Sequence, residues 1–572
     1  MITVDAGRRA ARLEELMQGL ERPSDPADVE LLRSFAPVVY AALPDAVALG
    51  LSADALTRRV LDYYRFFVRE FPPPTQVYRG LPGIHVVVRN PVEADEQRIV
   101  NGRMLPLETT IVETHTLDAP FIFESLKNYF RRAGLRVFSA IHPMLSVRRQ
   151  WERMVALGPP QEEGSRESFC HFRIERVDSK ERLSRIEHEI YSVLKAVFTA
   201  VEDFEDMRRV VRELGPKMRD RKAGAGRAEA ARGFLDWLLD DNYIFLGTVK
   251  YTLGRDGRFE RNQDTATGVF TDRDLLPVVF PGLMDEVETH LIPNENDPRI
   301  VDIDYCNNAM AIYHLEPIDD IEIRQWGEDG SLQEMTLLLG RLSMGAFTEK
   351  ASEIPLLKEK HDWILANSGA AQKSYAYREI RALFNRFPKR ELFYASAPSL
   401  KDVIDRIVYM TGDDDVAVHS RRGAGYVALS IAFSRLRYSY KAEEDLKHAL
   451  AEAYGPIAFS SSTDCGAVTL LLCYFDSSRM ERPVDNDEVR RMTEGLVTTW
   501  EDRVAAVLEA SLGEREGRRY AASGAWVIRA ATYLGRAMEH RSLWPGSLGS
   551  PPCRRALIPP VGLCLAPQGL RE

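Results

Sequence analysis

The chain has 572 residues, which at roughly 100–200 residues per domain leaves room for about three to five domains. Apolar residues make up 45% and charged residues 28%, the composition of an ordinary soluble globular protein, and a net charge of −10 argues against a nucleic-acid binder. No stretch approaches the roughly 18 uninterrupted apolar residues of a bilayer span, and residues 1–21 are charged and helical in pattern, without a signal-peptide core.

The expectation is therefore a cytoplasmic protein with no nucleic-acid and no membrane partner. Six cysteines cannot form a disulfide framework in a chain of this length. Cys170, Cys306, Cys465 and Cys473 stand singly among apolar residues, in no metal-ligand spacing, which predicts buried reduced thiols. Cys553 and Cys564 lie in a stretch of different character. Arg541–Glu572 holds six prolines, four glycines, four arginines and a single acidic residue.

The first elements are helical. Asp25 before Pro26 reads as an N-cap with proline at the first helical position, opening the run Val29, Leu32, Phe35. A second helix, 53–71, carries Leu56, Val60, Tyr63, Tyr64 and Phe67 on one face and stops at Pro72-Pro73-Pro74. Strands follow at 84–88 and 109–114. Asp118 is placed to cap a helix over 120–133 that Gly134 closes, because glycine tolerates the left-handed C′ conformation. Residues 135–141 form a strand, and so do 169–177, where Cys170, Phe172 and Ile174 alternate with His171, Arg173 and Glu175. A long helix covers 179–204. Counted from Thr109 the order is β-α-β-β-α, the core of a ferredoxin-like unit.

A charged linker at 208–226 and a helix at 228–239 lead into strands at 243–253, 268–271, 309–315, 318–325 and 332–342. Gly327-Glu328-Asp329-Gly330 makes the turn between the last two, and the whole reads as a central, largely antiparallel sheet. Helices at 354–367 and 374–387 connect onward. The clearest pattern spans 391–475: strand 392–395, helix 399–410, strand 415–420, turn 421–425, strand 426–435, helix 441–454, then strands 457–461 and 467–475. That is βαββαβ with an extra strand. Two such units in one chain suggest a repeated regulatory module, although fold alone does not fix function.

Motifs for chemistry fail one by one. Gly224-Ala225-Gly226-Arg227-Ala228-Glu229 lacks the third glycine and the preceding strand of a dinucleotide loop, and Glu229 would repel a pyrophosphate. It reads as a linker. No GxxxxGK[ST] and no GxSxG occurs. Ser460-Ser461-Ser462 ends a strand. Cys170 and His171 are strand neighbours that point to opposite faces, a core cysteine and a surface histidine rather than a nucleophile–base pair. His142, before Pro143, fits a structural or loop role. Asp413-Asp414-Asp415 and Asp319-Asp320 lack calcium-loop spacing and read as solvated turns. Arg421-Arg422-Gly423-Ala424-Gly425 reads as a hairpin tip rather than an anion nest. No catalytic, cofactor-binding or metal-ligating residue is assigned.

Several segments, in order, resemble the N-terminal half of the large bacterial NAD-specific glutamate dehydrogenases. They are Ala140-Ile141-His142-Pro143-Met144-Leu145-Ser146-Val147-Arg148-Arg149 with residues 167–175; Asp240-Asp241-Asn242-Tyr243-Ile244-Phe245-Leu246-Gly247; Gly345-Ala346-Phe347-Thr348 with residues 353–360; Phe387-Pro388-Lys389-Arg390-Glu391-Leu392-Phe393 with residues 451–455; and Trp500-Glu501-Asp502-Arg503 with residues 513–519. The resemblance implies ACT-type βαββαβ regulatory domains joined by helical motifs, with the catalytic domain further along a longer chain. No Gly-Gly pair occurs in these 572 residues, and no family catalytic residue carries over to a position here.

The expected fold class is thus α+β and multidomain: ACT-like (ferredoxin-like βαββαβ) domains joined by helical segments and a central, mostly antiparallel sheet. The divisions are a helical region 1–74, a first ACT-like domain 75–206, a helical linker with a mixed α/β sheet domain 207–388, a second ACT-like domain 389–480, a helical segment 481–520 and a divergent, disordered tail 521–572. The resemblance fades after about Tyr520, and the tail is what a shifted reading frame or early gene end would give. The expected role is the regulatory and oligomerising N-terminal part of an NAD-dependent glutamate dehydrogenase, which converts L-glutamate, NAD and water to 2-oxoglutarate, ammonium and NADH. This part would be inactive alone and bind no cofactor itself, would form a homo-oligomer and would take a small amino-acid effector. The alternative is a stand-alone ACT-type amino-acid sensor or scaffold.

Overall fold

The computed structural model describes residues 2–20, 26–68, 83–91, 97–100, 103–106, 108–150, 153–218, 227–255, 257–283, 299–309, 317–329, 331–498 and 500–522. Asp25, the proline triplet, the linker glycines Gly224 and Gly226, all but Ala309 of the strand expected at 309–315 and the tail from 523 lie outside these residues. The fold is α+β and multidomain, built on several antiparallel sheets. The chain divides into two compact units, Met1–Leu400 with Arg422–Val427, and Lys401–Arg421 with Ala428–Glu572.

In the first unit, helices Ile2–Gly19, Pro26–Ala42 and Ala53–Phe67 come first. Ser52 caps the third by accepting the Ala55 amide at 3.2 Å, and Leu56, Val60, Tyr63, Tyr64 and Phe67 are buried at helical spacing. Strands β1 (His85–Arg89), a separate ribbon of β2 (Gln97–Val100) and β3 (Arg103–Pro106), β4 (Thr109–Leu117), β5 (Val137–Ile141), β6 (Met144–Gln150), β7 (Arg153–Gly158) and β8 (Ser165–Glu175) follow. β8 pairs with β4 along one side; its other side is shared by β6 and β5. The sheet therefore runs β1-β4-β8-β5, extended by the β6–β7 hairpin.

The fourth strand of this module precedes the others instead of following the second helix. β1 takes the edge beside β4, where the expected βαββαβ order would put its last strand. Two helices complete it, Ile122–Arg132 and Lys180–Glu202. Asp118 does not cap the first of them. The helix starts at Ile122 with Phe121 at the N-cap, φ +74°, while the Asp118 amide is drawn to the Arg166 carbonyl. Gly134 ends it as expected: at φ +67° its amide reaches the Arg131 carbonyl and the Leu135 amide reaches Phe130, a Schellman closure.

The next sheet is antiparallel, in the order β10-β9-β13-β12-β11, from β9 (Tyr243–Leu253), β10 (Phe259–Gly268), β11 (Val301–Ala309), β12 (Pro317–Trp326) and β13 (Leu332–Leu342). The strand expected at 268–271 is instead the end of β10 and one tight turn, Val269–Thr271. Gly268 causes the break: it sits at φ +59°, and a Cβ there would lie 2.1 Å from the Leu246 carbonyl oxygen. Helices Leu357–Asn367, Tyr375–Arg386 and Lys389–Tyr394 follow. Residues 392–395, expected as a strand, thus belong to a helix and its end.

The second unit is built on a sheet ordered β14-β15-β17-β16, from β14 (Val416–Arg422), β15 (Tyr426–Ser434), β16 (Ile457–Asp464) and β17 (Val468–Asp476). Helix Tyr440–Tyr454, capped by Ser439, and helix Asn486–Leu496, capped by Asp485, pack through Leu446, Leu450 and Val489 onto Leu429, Ile431, Leu471 and Cys473. Strand, strand, helix, strand, strand, helix recurs here with the same 1-2-4-3 strand order as in the first module. Both are the ferredoxin-like plan with its closing strand moved to the front.

One core joins the first module to the central sheet. Val112, Phe172, Ile190, Val193, Leu194, Val249, Phe270 and Leu337 are members of a single buried cluster, so the helices Ile122–Arg132 and Lys180–Glu202 lie between two sheets. Lys195 bonds Asp272 at 2.6 Å and Arg132 donates to the Val279 carbonyl at 2.9 Å across the same seam. Leu194→Ala, at a fully buried position of the helix Lys180–Glu202, is expected to cost about 2–5 kcal/mol. Hydrogen exchange should show protection falling together in β4, β8, β9 and β13. Loss confined to one sheet would contradict a shared core.

Candidate functional site

Three clusters of polar side chains stand out, and the segments that carry the family resemblance run through all of them. The first lies on one face of the β1-β4-β8 sheet. Odd-numbered residues of β4 and β8 share this face, and it carries Glu113, His115, Glu167, His171 and Arg173, all 0–2% exposed. His171 is not a surface histidine. The helix Ala53–Phe67 covers it: Tyr63 lies 4.5 Å from the His171 ring, Phe67 stacks on His115 at 4.0 Å and Phe66 on His85 at 4.8 Å. Cys170 and His171 do point to opposite faces, and both are buried.

Within this layer the groups are matched. His115 Nε2 donates to Glu167 at 2.7 Å, Arg149 forks onto the same carboxylate, and Ser165 donates to it at 3.0 Å. His171 Nδ1 donates to Glu113 at 3.3 Å, and Arg89 approaches that carboxylate at 3.2 Å. Burial pushes both carboxylates up, but the hydrogen bonds and charges of these partners outweigh it and hold them below the usual range. Burial holds His171 below its ordinary value and His115 down at about 4, against the pull of the carboxylates. The layer is made of neutral imidazoles on ionised carboxylates, sealed by aromatic rings. It can take up protons in acid.

The second cluster is at the start of helix Ile122–Arg132, which has no side-chain cap, so its first amides are left to other partners. Phe121 holds a backbone conformation that bulky residues seldom adopt. Beside it, His142 stacks on Phe123 (5.1 Å, 9°) and lies 2.8 Å from the Ser168 hydroxyl; burial lowers its pKa while Asp118 and Glu124 oppose. Ser168 in turn is 3.8 Å from Cys170, whose thiol burial pushes up to about 12. His142 thus has a structural hydrogen bond, as expected.

The third cluster centres on Asp319. Asp319 and Asp320 are not solvated turn residues: they sit inside β12, 1% and 4% exposed. Asp319 accepts the Leu342 amide at 2.9 Å, the Tyr394 hydroxyl and, as an ion pair at 3.4 Å, Arg390; its carbonyl accepts from Tyr243 at 2.7 Å. Burial and the two neighbouring aspartates raise Tyr243 well above its ordinary value. Asp413–Asp415 form the expected turn, with Asp415 holding the Thr411 and Gly412 amides, and Gly423–Gly425 the expected hairpin tip. Ser460–Ser462 lie within β16, not at its end. Cys465 and Cys473 are buried. Among the described residues no group of three or more His, Cys, Asp or Glu is arranged to hold a metal ion, and no helix is long and apolar enough to cross a membrane.

Comparison with known proteins accounts for this placement. The family model for the glutamate dehydrogenase ACT1 domain matches residues 35–190, and that for glutamate dehydrogenase helical motif 1 matches residues 354–413. The chain is 24% identical over 405 residues to the NAD-specific glutamate dehydrogenase of Halomonas elongata, covering 67% of this chain and 23% of that protein. It is 22% identical over 430 residues to that of Pseudomonas aeruginosa, covering 71% and 26%. Residues 35–190 and 354–413 thus match two domains of the glutamate dehydrogenase family.

The chain spans about a quarter of the length of these two glutamate dehydrogenases. The ACT1 match takes in the helix Ala53–Phe67 that covers the histidine face, and the helical-motif match takes in Lys389–Tyr394 of the Asp319 cluster. Sequence alternation alone missed both clusters, because it assigns every second, polar residue of a strand to solvent. The available signal was charge matching: Glu113, His115, Glu167, His171 and Arg173 mix signs on one face.

The histidine layer shapes the acid response of this chain. His115 titrates near 4 when folded and near 6.5 in an unfolded chain. Between those values only the unfolded chain binds the proton, so stability falls as pH falls. His171 shifts in the same direction, and Glu113 and Glu167 add a loss below their unfolded values. His115→Gln keeps a donor to Glu167 without titrating. Denaturant unfolding between pH 4.5 and 6.5 should show its stability slope flatter than wild type by roughly 1 kcal/mol per pH unit. An unchanged slope would remove His115 from the account.

Proposed function

We propose that this chain is a regulatory, non-catalytic portion of an NAD-dependent glutamate dehydrogenase. The parent reaction takes L-glutamate, NAD and water to 2-oxoglutarate, ammonium and NADH, with NAD bound and hydride transferred by residues outside this chain. What supports the reading is one observation: the chain carries the same ββαββα module twice, and its buried carboxylates Glu113, Glu167 and Asp319 are paired within the chain. The role is exercised in the cytoplasm, on a homo-oligomer.

The modules take a small amino acid as effector. In the first module the loop Asp118–Phe121 and the uncapped helix start suit the carboxylate of such a ligand, since free amides at a helix N-terminus favour negative charge. Effector binding there would be felt in the central sheet, because the helix that starts at Ile122 packs on the helix Lys180–Glu202 and both share one buried cluster with that sheet.

A panel of L-amino acids, each tested by thermal shift on the purified chain, examines this directly. A ligand at 100 times its dissociation constant adds about 2.7 kcal/mol of stability, several degrees of melting temperature. The shift should be strengthened by Asp118→Lys, which replaces a carboxylate by a cation beside the amides that receive the ligand's carboxylate. Glutamate-dependent NADH production by the chain alone would overturn the non-catalytic assignment. An absence of any shift would remove the effector and leave assembly as the module's role.

A further inference from the structure

The helix Lys389–Tyr394 has six residues and three consecutive charges, and all three are buried: Lys389 7%, Arg390 8% and Glu391 4% exposed. Six residues cannot hold a helix in water, where nucleation costs more than so few hydrogen bonds return. This one has no side-chain N-cap, only Pro388. Its backbone bonds include Leu392 N to Pro388 O at 3.1 Å and Ala395 N to Glu391 O at 2.9 Å.

Its stability comes from other elements. Lys360, on the helix Leu357–Asn367, places its ammonium on the carbonyls of Leu392, Phe393 and Ala395 at 2.8, 2.6 and 2.8 Å. Those are acceptors a helix C-terminus leaves open, and a cation complements them in charge. Lys389 donates to the Phe347 carbonyl at 2.5 Å, and the Arg390 guanidinium lies over the Phe347 ring at 5.4 Å. Arg390 and the Tyr394 hydroxyl both reach Asp319 of β12. Leu392 and Phe393 supply the apolar part, with Phe393 against Phe234 and Trp237. The residue before the Lys360 helix, Leu356, sits at φ +65°, ψ −43°, a conformation a leucine adopts only under constraint.

We propose that the segment Lys389–Tyr394 is a conditional helix, folded when latched by Lys360 and Asp319 and unwound when either lets go. The latching bonds are polar, and the apolar contacts of the segment are those of Leu392 and Phe393. The next helix, Ala397–Val408, begins three residues beyond, so unwinding would free its start from a fixed anchor. An order–disorder element of this kind gives a chain two states separated by a few bonds.

Lys360→Met and Tyr394→Phe in the full chain test this; the second removes one hydroxyl and keeps the ring. Hydrogen exchange at the amides of Leu392 and Ala395 should speed up about tenfold or more in each variant, the scale of one charge-assisted bond. Trypsin cleavage after Lys389 and Arg390 under native conditions should rise in parallel. Amides in β9 and β13 should keep their wild-type protection. Unchanged exchange at 392 and 395 in a folded variant would show a helix that stands by itself and overturn the proposal. Equal loss across β9 and β13 would also overturn it, making the cluster part of the core and not a latch. If Lys360→Met does not fold, Tyr394→Phe decides by the same readings.

Discussion

The helix Lys180–Glu202 has to be buried on two sides at once. Ile186, Ile190, Val193, Leu194 and Val197 repeat at the spacing of one face, while Ser192, Ala196, Thr199 and Ala200 put small buried residues on the rest of its second half. Small side chains let a second layer approach closely without strain. With helix Ile122–Arg132 it forms the layer between the first sheet and the central one, and the arrangement of the first unit follows from that sharing. A sheet that already has helices on one face needs cover on the other when its outer residues are bulky, and the N-terminal helices provide it through Leu32, Phe35, Val60 and Phe67. The module is therefore not a bead on a string. A displacement of its helices is at once a displacement of two sheets.

Covering the outer face has a cost, because that face holds charges. Burying an unpaired carboxylate is prohibitive, and even paired charges recover little net stability against an apolar pair of the same shape. What a matched polar layer adds is register. Glu113 stands directly opposite His171 in the ladder, and a slip of one residue would turn every one of these groups to the wrong face. An apolar layer of leucines would tolerate a shifted helix; His115 between Glu167 and the Phe67 ring does not. The Asp319 cluster follows the same logic on the central sheet, with one carboxylate collecting an amide from β13 and a tyrosine and an arginine from the helix Lys389–Tyr394.

Much of this architecture was legible in the sequence where a single physical signal dominates. Helices with a capping serine and a clean apolar stripe, such as those after Ser52, Ser179 and Ser374, lie close to where periodicity puts them. Strands with β-branched residues, β4 and β9, do too, as does the leucine-rich β13. The misreadings share one cause, which is that tertiary cover is not a local property. His171 and Asp319 look like surface residues because polar residues at every second position normally face water. Leu392–Ala395 looks like a short strand because a six-residue helix has no periodicity to show, and its partners Lys360 and Asp319 lie 32 and 73 residues away from Leu392. The displaced closing strand was hidden for a related reason. β1 alone carries no mark of which neighbour it will join, and only its pairing with β4 identifies it.

The repeated strand order bears on what the chain can do. A ferredoxin-like module with helices on one face usually keeps the other face for a partner. In the first unit that face is occupied by the chain's own helices, so its sheet is not available for a face-to-face contact. What stays open for recognition is the perimeter: strand edges, the strained start of a helix at Phe121 and the loops between them. Perimeter sites read ligands through backbone amides and a few side chains, and they shift helices along their axes more readily than they separate layers. In a unit whose central helices serve two sheets, an axial shift of that kind is the motion that packing transmits with least loss, since it slides contacts without opening cavities. A displacement entering at the perimeter would therefore travel by shear through the shared helix layer to the central sheet, where the short helix Lys389–Tyr394 is held by bonds from Lys360 and Asp319.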